Sequence, residues 1–217
     1  MRTKSKAVSG QVASAPKHSA GFSSLDVGSP QLAGSARPVE TGWDLTAGGA
    51  DIWEKSDQFH FVYKQVASDF DIALRVESFT PAHLYSKAGL MIRENLNANS
   101  PHLMFLVFAD NSPRNNNLGG YEMQFRPVAA GECRAVYPSV MPPASPEFPV
   151  AYPNAWLRVK RQGNRFSAFA STDGKTWKQY GVQTLALAGL VHLGPALTSH
   201  NPQAVAKASF RDYIGSR

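Results

Sequence analysis

The sequence holds a single cysteine, Cys133. One thiol closes no intramolecular disulfide and supplies no cysteine-based metal site. No apolar run approaches the ~18 residues that cross a bilayer as a helix. No segment sustains a helical period either. The six histidines never stand two or four residues apart, so no zinc motif of paired histidines is visible. Acid is missing from residues 1–20, where Arg2, Lys4, Lys6 and Lys17 stand alone; the other 18 basic side chains face 16 acids, so most of the formal +6 belongs to this stretch. The remaining chain is nearly neutral and carries no basic stripe, which excludes a specific nucleic-acid reader. Residues 1–21 also lack the apolar h-region of a signal peptide. They read as a flexible basic leader ahead of one domain spanning 22–217.

What is present is core. Hydrophobic residues make up 43% of the chain and aromatic residues 11%. They fall in short alternating or apolar segments broken by turn residues, which predicts strands. The expected strands are 22–27, 42–45, 50–53, 59–66, 70–79, 87–94, 103–108, 121–126, 134–137, 156–161, 165–171, 176–180, 191–199 and 205–214. Residues 54–57 read as a polar turn. Segment 110–120, dense in Asn, Gly and Pro, reads as a long exposed loop. The six prolines of 138–153 exclude a central strand there and predict a rigid surface excursion. Gln162-Gly163-Asn164 and Asp173-Gly174 are hairpin signals. In the second of these turns Asp173 should bond turn amides, with Trp177 packed over it. Many strands, short turns and no helical spacers predict an all-β, antiparallel two-sheet sandwich.

Within that frame, Ser86-Lys87-Ala88-Gly89-Leu90-Met91-Ile92-Arg93-Glu94 separates cleanly at period two. Ala88, Leu90 and Ile92 take one face for the core, while Lys87, Met91 and Arg93 take a mixed, partly greasy face. Together with Gly49-Ala50-Asp51-Ile52-Trp53, Phe59-His60-Phe61-Val62-Tyr63 and Thr198-Ser199-His200-Asn201, this segment resembles the concanavalin A-like, or laminin G-like, jelly-roll domains of bacterial extracellular and glycan-processing proteins. Among these the regulation-of-enolase-like family is known as a domain of unknown function. The resemblance covers about 22–217. It implies a jelly-roll sandwich, an accessory role beside carbohydrate-active or surface-attached domains, and an extracellular or cell-surface location, although 1–21 shows no signal peptide.

A glycan site needs aromatic platforms and bidentate polar groups. The concave sheet would supply them with His60, Arg93, Gln124 and Arg126 around Met91, Trp53 and Tyr85 at the rim, and His200 closing one edge. Asp26 in the first strand and Asp212 in the last are the candidate ligands of a structural Ca2+; no other cofactor is expected. A hydrolase would place two carboxylates at alternate positions of one strand, and Asp69-Phe70-Asp71 comes nearest, at a turn. A lyase would draw its base and its carboxylate-holding group from among His60, Tyr63, Arg93, Gln124, Arg126 and His200. The expected function is therefore non-catalytic recognition of a polysaccharide or other glycan. The alternatives are a structural or assembly protein that meets a protein partner or a second copy of itself and, less favoured, a polysaccharide lyase or hydrolase.

Overall fold

The computed structural model describes residues 20–114, 120–138 and 147–216, and among them only strands and irregular segments occur. In chain order the strands begin with β1 (Ser23–Val27), β2 (Ser35–Val39), β3 (Gly42–Ala47), β4 (Ile52–Trp53), β5 (Ser56–Asp57) and β6 (Phe59–Ala67). Next come β7 (Phe70–Thr80), β8 (Lys87–Arg93), β9 (His102–Val107), β10 (Tyr121–Arg126) and β11 (Arg134–Val136). The last five are β12 (Ala155–Gln162), β13 (Arg165–Ser171), β14 (Lys178–Thr184), β15 (Leu190–Thr198) and β16 (Ala206–Ser216).

They form two seven-stranded sheets, β1-β6-β15-β8-β9-β10-β11 and β14-β13-β12-β7-β16-β3-β2, with β4 and β5 as a separate small hairpin. Every pairing is antiparallel, as the alternation predicts. Leu90, Ile92, Leu103, Phe105 and Met123 of the first sheet meet Leu74, Val76, Leu157, Val159, Phe166 and Phe210 of the second in one continuous core. The second sheet behaves as a half-solvated sheet should. Along β12 the buried Ala155, Leu157 and Val159 alternate with the half-buried Trp156, Arg158 and Lys160.

The first sheet departs from this rule. Every residue of β8, β9 and β10 is buried, on both faces. Its outer face carries a second apolar cluster of Met91, Met104, Leu106, Phe108, Phe59, Phe61 and Ile52. The mixed face that the sequence suggested was open is instead covered by a third layer, which includes the β4–β5 hairpin.

Three local expectations need correction. Residues 54–57 are not simply a turn, because Ser56 and Asp57 pair with Trp53 and Ile52 as β5. Residues 139–146 of the proline-rich segment lie outside the described residues, but Phe148 and Val150 beyond them are buried in the core. Proline removes ladder donors without preventing its neighbours from burying side chains. Residues 115–119 of the expected exposed loop also lie outside the described residues, while Arg114 before them is buried and donates to the Leu84 carbonyl at 2.9 Å. The leader lies outside the described residues as far as residue 19. In the 171–177 turn, Asp173 accepts from the Lys175 and Thr176 amides at 2.8 and 2.7 Å as expected, and Trp177 sets its ring edge-on to Trp156 at 6.3 Å.

Candidate functional site

The outer face of the first sheet changes character along its strands. Register places Arg93 opposite His102 and His102 opposite Arg126 at one end, with Met91, Met104 and Gln124 side by side in the middle. Glu122 lies opposite Leu106 toward the other end, where Lys87 begins β8. Polar side chains on this face reach outward and hold down the β4–β5 hairpin. Lys87 Nζ and Gln124 Nε2 both donate to the Ile52 carbonyl, at 2.9 and 2.7 Å. Arg126 donates to the carbonyls of Trp53 at 2.8 Å and Glu54 at 3.1 Å. An irregular segment over an apolar face needs partners for its main-chain groups, and these side chains supply them.

The ionic end is organised by Asp57. Its Oδ1 accepts from Arg126 Nη2 at 2.6 Å, and its Oδ2 from Arg126 Nη1 at 2.8 Å and Arg93 Nη1 at 3.3 Å. Arg93 also donates to the carbonyls of Asn95 and Asn97. All three charged groups are fully buried. Burial lowers the Arg93 guanidinium to about 10 against the pull of Asp57, with Arg126 adding to the lowering. Burial likewise pushes His102 down to about 3, so its ring stays neutral at working pH. Beside this cluster the Cys133 thiol is pushed up to about 12 by burial, which leaves it unreactive as a nucleophile.

At the opposite end the cover leaves a cavity of about 240 Å³. Trp53, Tyr85, Phe108 and Tyr137 form its aromatic walls, and Asp51, Lys87, Glu122 and His200 its polar lining. Trp53 also lines a neighbouring cavity of about 290 Å³ on the side of Glu54, Ser56 and Gln58. Asp51 is the most heavily engaged group. Lys87 Nζ lies 2.9 Å from its Oδ1 and His200 Nδ1 3.2 Å from its Oδ2. The Lys87 ammonium also sits 5.0 Å from the Trp53 ring. His200 stacks on His83 with ring centres 4.5 Å apart, and Tyr85 lies 5.5 Å from His200 and 6.3 Å from Phe108. The chain can bring Asp51 and His200 together because Gly49 turns at φ +119°, where a Cβ would meet the Gln58 carbonyl oxygen at 2.1 Å. The Gly49 carbonyl then accepts from Ser199 Oγ and the Asn201 amide, both at 3.1 Å.

The two carboxyls of the cavity differ. Burial raises Asp51, but the Lys87 ammonium and His200 outweigh it and hold the group below its usual value. Glu122 is 7% exposed and, among the described residues, makes no side-chain hydrogen bond or ion pair. Burial raises it, the Asp51 charge raises it further, and the attraction of Lys87 and Arg114 falls short of compensating. A carboxyl raised in the folded state binds its proton more tightly there than in the unfolded chain. Its stabilising contribution is complete below the ordinary value of 4.5 and is lost as pH rises through the folded value. Glu122→Gln should therefore gain stability over the wild type progressively as pH rises above about 4.5, and denaturant midpoints across pH 4–8 would show the gap opening. A constant gap would mean that Glu122 is solvated in the native protein.

Of the residues expected at a ligand site, Trp53, Tyr85 and His200 line the cavity. Arg93, Gln124 and Arg126 lie on the expected sheet face but fully buried under the hairpin, so they support the site instead of facing a ligand. His60 is buried elsewhere, with Nδ1 2.8 Å from Asp26 Oδ1. Asp26 also accepts from the Gly34 amide at 3.0 Å. Asp212 sits in the other sheet and pairs with Arg75 at 2.7 Å, so the structure gives each of the two acids its own protein partners. Among the described residues no group of three or more His, Cys, Asp or Glu side chains is placed to hold a metal ion. Asp69 accepts from the Gly163 amide at 2.7 Å and Asp71 forms a two-point pair with Arg158, so both acids serve structure. Sequence reasoning missed Asp51, Lys87, Phe108, Glu122 and Tyr137 as site residues. Glu122 was within reach, two positions before Gln124 on the same strand face.

No known protein family matches the chain by sequence, and no curated protein matches it. Solved structures do. A functionally unknown protein from Saccharomyces cerevisiae superposes with a TM-score of 0.66 at 17% identity, over 91% of this chain and 97% of that one. The carbohydrate binding module CBM66 from Bacillus subtilis gives 0.56 at 12% identity, over 91% and 96%. The exoplasmic/lumenal domain of VIP36, in a Ca2+/Man3GlcNAc-bound form, gives 0.51 at 10% identity, over 87% and 83%. At such identities the likeness is one of fold, and the fold is the concanavalin A-like jelly-roll sandwich.

Proposed function

We propose that this domain is a non-catalytic glycan-binding module whose site is the cavity between Trp53, Tyr85 and Tyr137, and that it belongs with the regulation-of-enolase-like jelly rolls. The observation that carries this reading is the cavity itself. Aromatic rings offer stacking surfaces for the apolar faces of a sugar, and Glu122 and His200 are hydrogen-bonding groups on the same walls. Its volume of about 240 Å³ lies just below the ~300 Å³ at which small-molecule pockets usually begin, which suits one sugar ring. The fold is shared with a carbohydrate binding module and with a domain solved with a mannose-containing glycan, which supports the same reading.

A hydrolase would need two cooperating carboxyls, and Asp51 and Glu122 are the pair available. Asp51, however, is tied to the scaffold by Lys87 at 2.9 Å and the Ile52 amide at 2.7 Å, with His200 3.2 Å away, and serves the structure of the site. Binding is the function that this arrangement supports.

The test is a glycan-array screen of the full chain alongside Trp53→Ala, with Trp156→Ala on the far sheet as a control. One sugar class should bind, and Trp53→Ala should weaken it at least tenfold, since truncating an aromatic anchor costs about 1–2 kcal/mol or more. Trp156→Ala should bind as the wild type does. A folded protein that binds no sugar overturns the proposal.

A further inference from the structure

The charges around the cavity pair off, leaving one over. Lys87 is matched by Asp51 at 2.9 Å, with His200 on the other Asp51 oxygen. Arg114, which lies 4.5 Å from the Phe108 ring, is matched by Asp110. Tyr137, just after β11, shares the cavity with Glu122, and Tyr180 of β14 and Cys133 before β11 feel its charge. None of these three supplies a cation. Glu122 is thus the one carboxyl of the cavity without a positive partner among the described residues, 93% buried by its 7% exposure and facing the aromatic walls. Its carboxyl oxygens open onto the cavity, where an incoming cation can reach them.

We infer that the cavity prefers a sugar carrying a free amine, whose ammonium seats against the Glu122 carboxylate between the aromatic rings. The inference rests on the glycan-binding reading above and names the substrate class of the same site. An ammonium gains a charge-assisted hydrogen bond that a hydroxyl cannot match. It also gains from the π faces around it, as the resident Lys87 ammonium does 5.0 Å from Trp53. Acetylating the amine removes the charge and with it the advantage. A uronate fares worse, because it meets Glu122 and Asp51 while Lys87 is already committed to Asp51 and the Ile52 carbonyl.

Titration calorimetry on the full chain decides the matter, with chitosan oligomers, their fully N-acetylated counterparts, cello-oligomers and glucuronate as probes. The free-amine oligomer should bind at least about tenfold more tightly than the acetylated one, a difference of about 1.4 kcal/mol. Glu122→Gln should abolish that difference. Equal binding of the two forms, or a preference that survives in Glu122→Gln, overturns the inference while leaving glycan binding intact. Binding of none of these probes, nor of any sugar on the array, by a folded protein removes both.

Discussion

Replacing Asp57 by alanine should cost about 3–5 kcal/mol of unfolding free energy, which corresponds to a fall in Tm of roughly 6 °C or more for a chain of this size. Asp57 is the acid shared by Arg93 and Arg126, and none of the three side chains reaches solvent. A buried pair adds little net stability against an apolar replacement, but removing one member strands the other charge in a medium that cannot solvate it. Here one substitution strands two guanidiniums. Carbonyls of Asn95, Asn97, Trp53 and Glu54 would still accept from them, so the hydrogen bonds survive in part while the counter-charge disappears. The hairpin would lose its anchor with it, so sugar binding through Trp53 should fall together with stability. Urea unfolding at pH 7, with Arg37→Ala as a comparison, measures this. Arg37 pairs with Asp44 at the surface and should cost about 0–1 kcal/mol. A loss below about 1 kcal/mol for Asp57→Ala would show that water already reaches the cluster.

The sheets were legible because their alternation is a property of single segments. The expected 121–126 and 165–171 match β10 and β13 to the residue. Besides β5, read as part of a turn, one strand was missed, β2, and it explains itself. Ser35-Ala36-Arg37-Pro38-Val39 has no apolar alternation, is largely exposed, and tolerates Pro38 because it lies at the edge of its sheet. The 171–177 turn was legible for a similar reason, since Asp173 bonds amides two and three residues away.

The site was only partly legible, because periodicity reports which face a side chain takes and not what covers that face. Arg93, Gln124 and Arg126 were placed on the right side of the right strands, yet their partners lie far along the chain. Asp57 is 36 residues from Arg93 and 69 from Arg126, and the Ile52 carbonyl is 72 from Gln124. Nothing local announces such contacts. The resemblance came closer, since Gly49–Trp53, Ser86-Lys87 and Ser199-His200 are the segments that meet around the cavity: Ser86 Oγ donates to the Ser199 carbonyl at 2.5 Å and Ser199 Oγ to Gly49 at 3.1 Å.

Met91→Ala should cost about 2–5 kcal/mol, and this substitution tests the third layer directly. On an open concave sheet Met91 would be a solvent-facing contact for ligand, and trimming it would change stability by no more than about 0.5 kcal/mol. In this structure it is fully buried among Met104, Leu106, Phe59, Phe61 and Ile52, residues from β9, β6 and the covering hairpin. Removing the thioether therefore loses its burial and opens a gap that rigid neighbours on both sides fill poorly. The lost contacts tie the hairpin to the sheet, so the hairpin should loosen along with the cavity it borders, and amide exchange at residues 52–57 should quicken. Urea denaturation gives the first number and hydrogen exchange the second. A cost near zero with unchanged exchange would mean that the hairpin stands off the sheet in solution. The outer face would then be open, and Met91, Arg93 and Arg126 would return to the surface a glycan can touch.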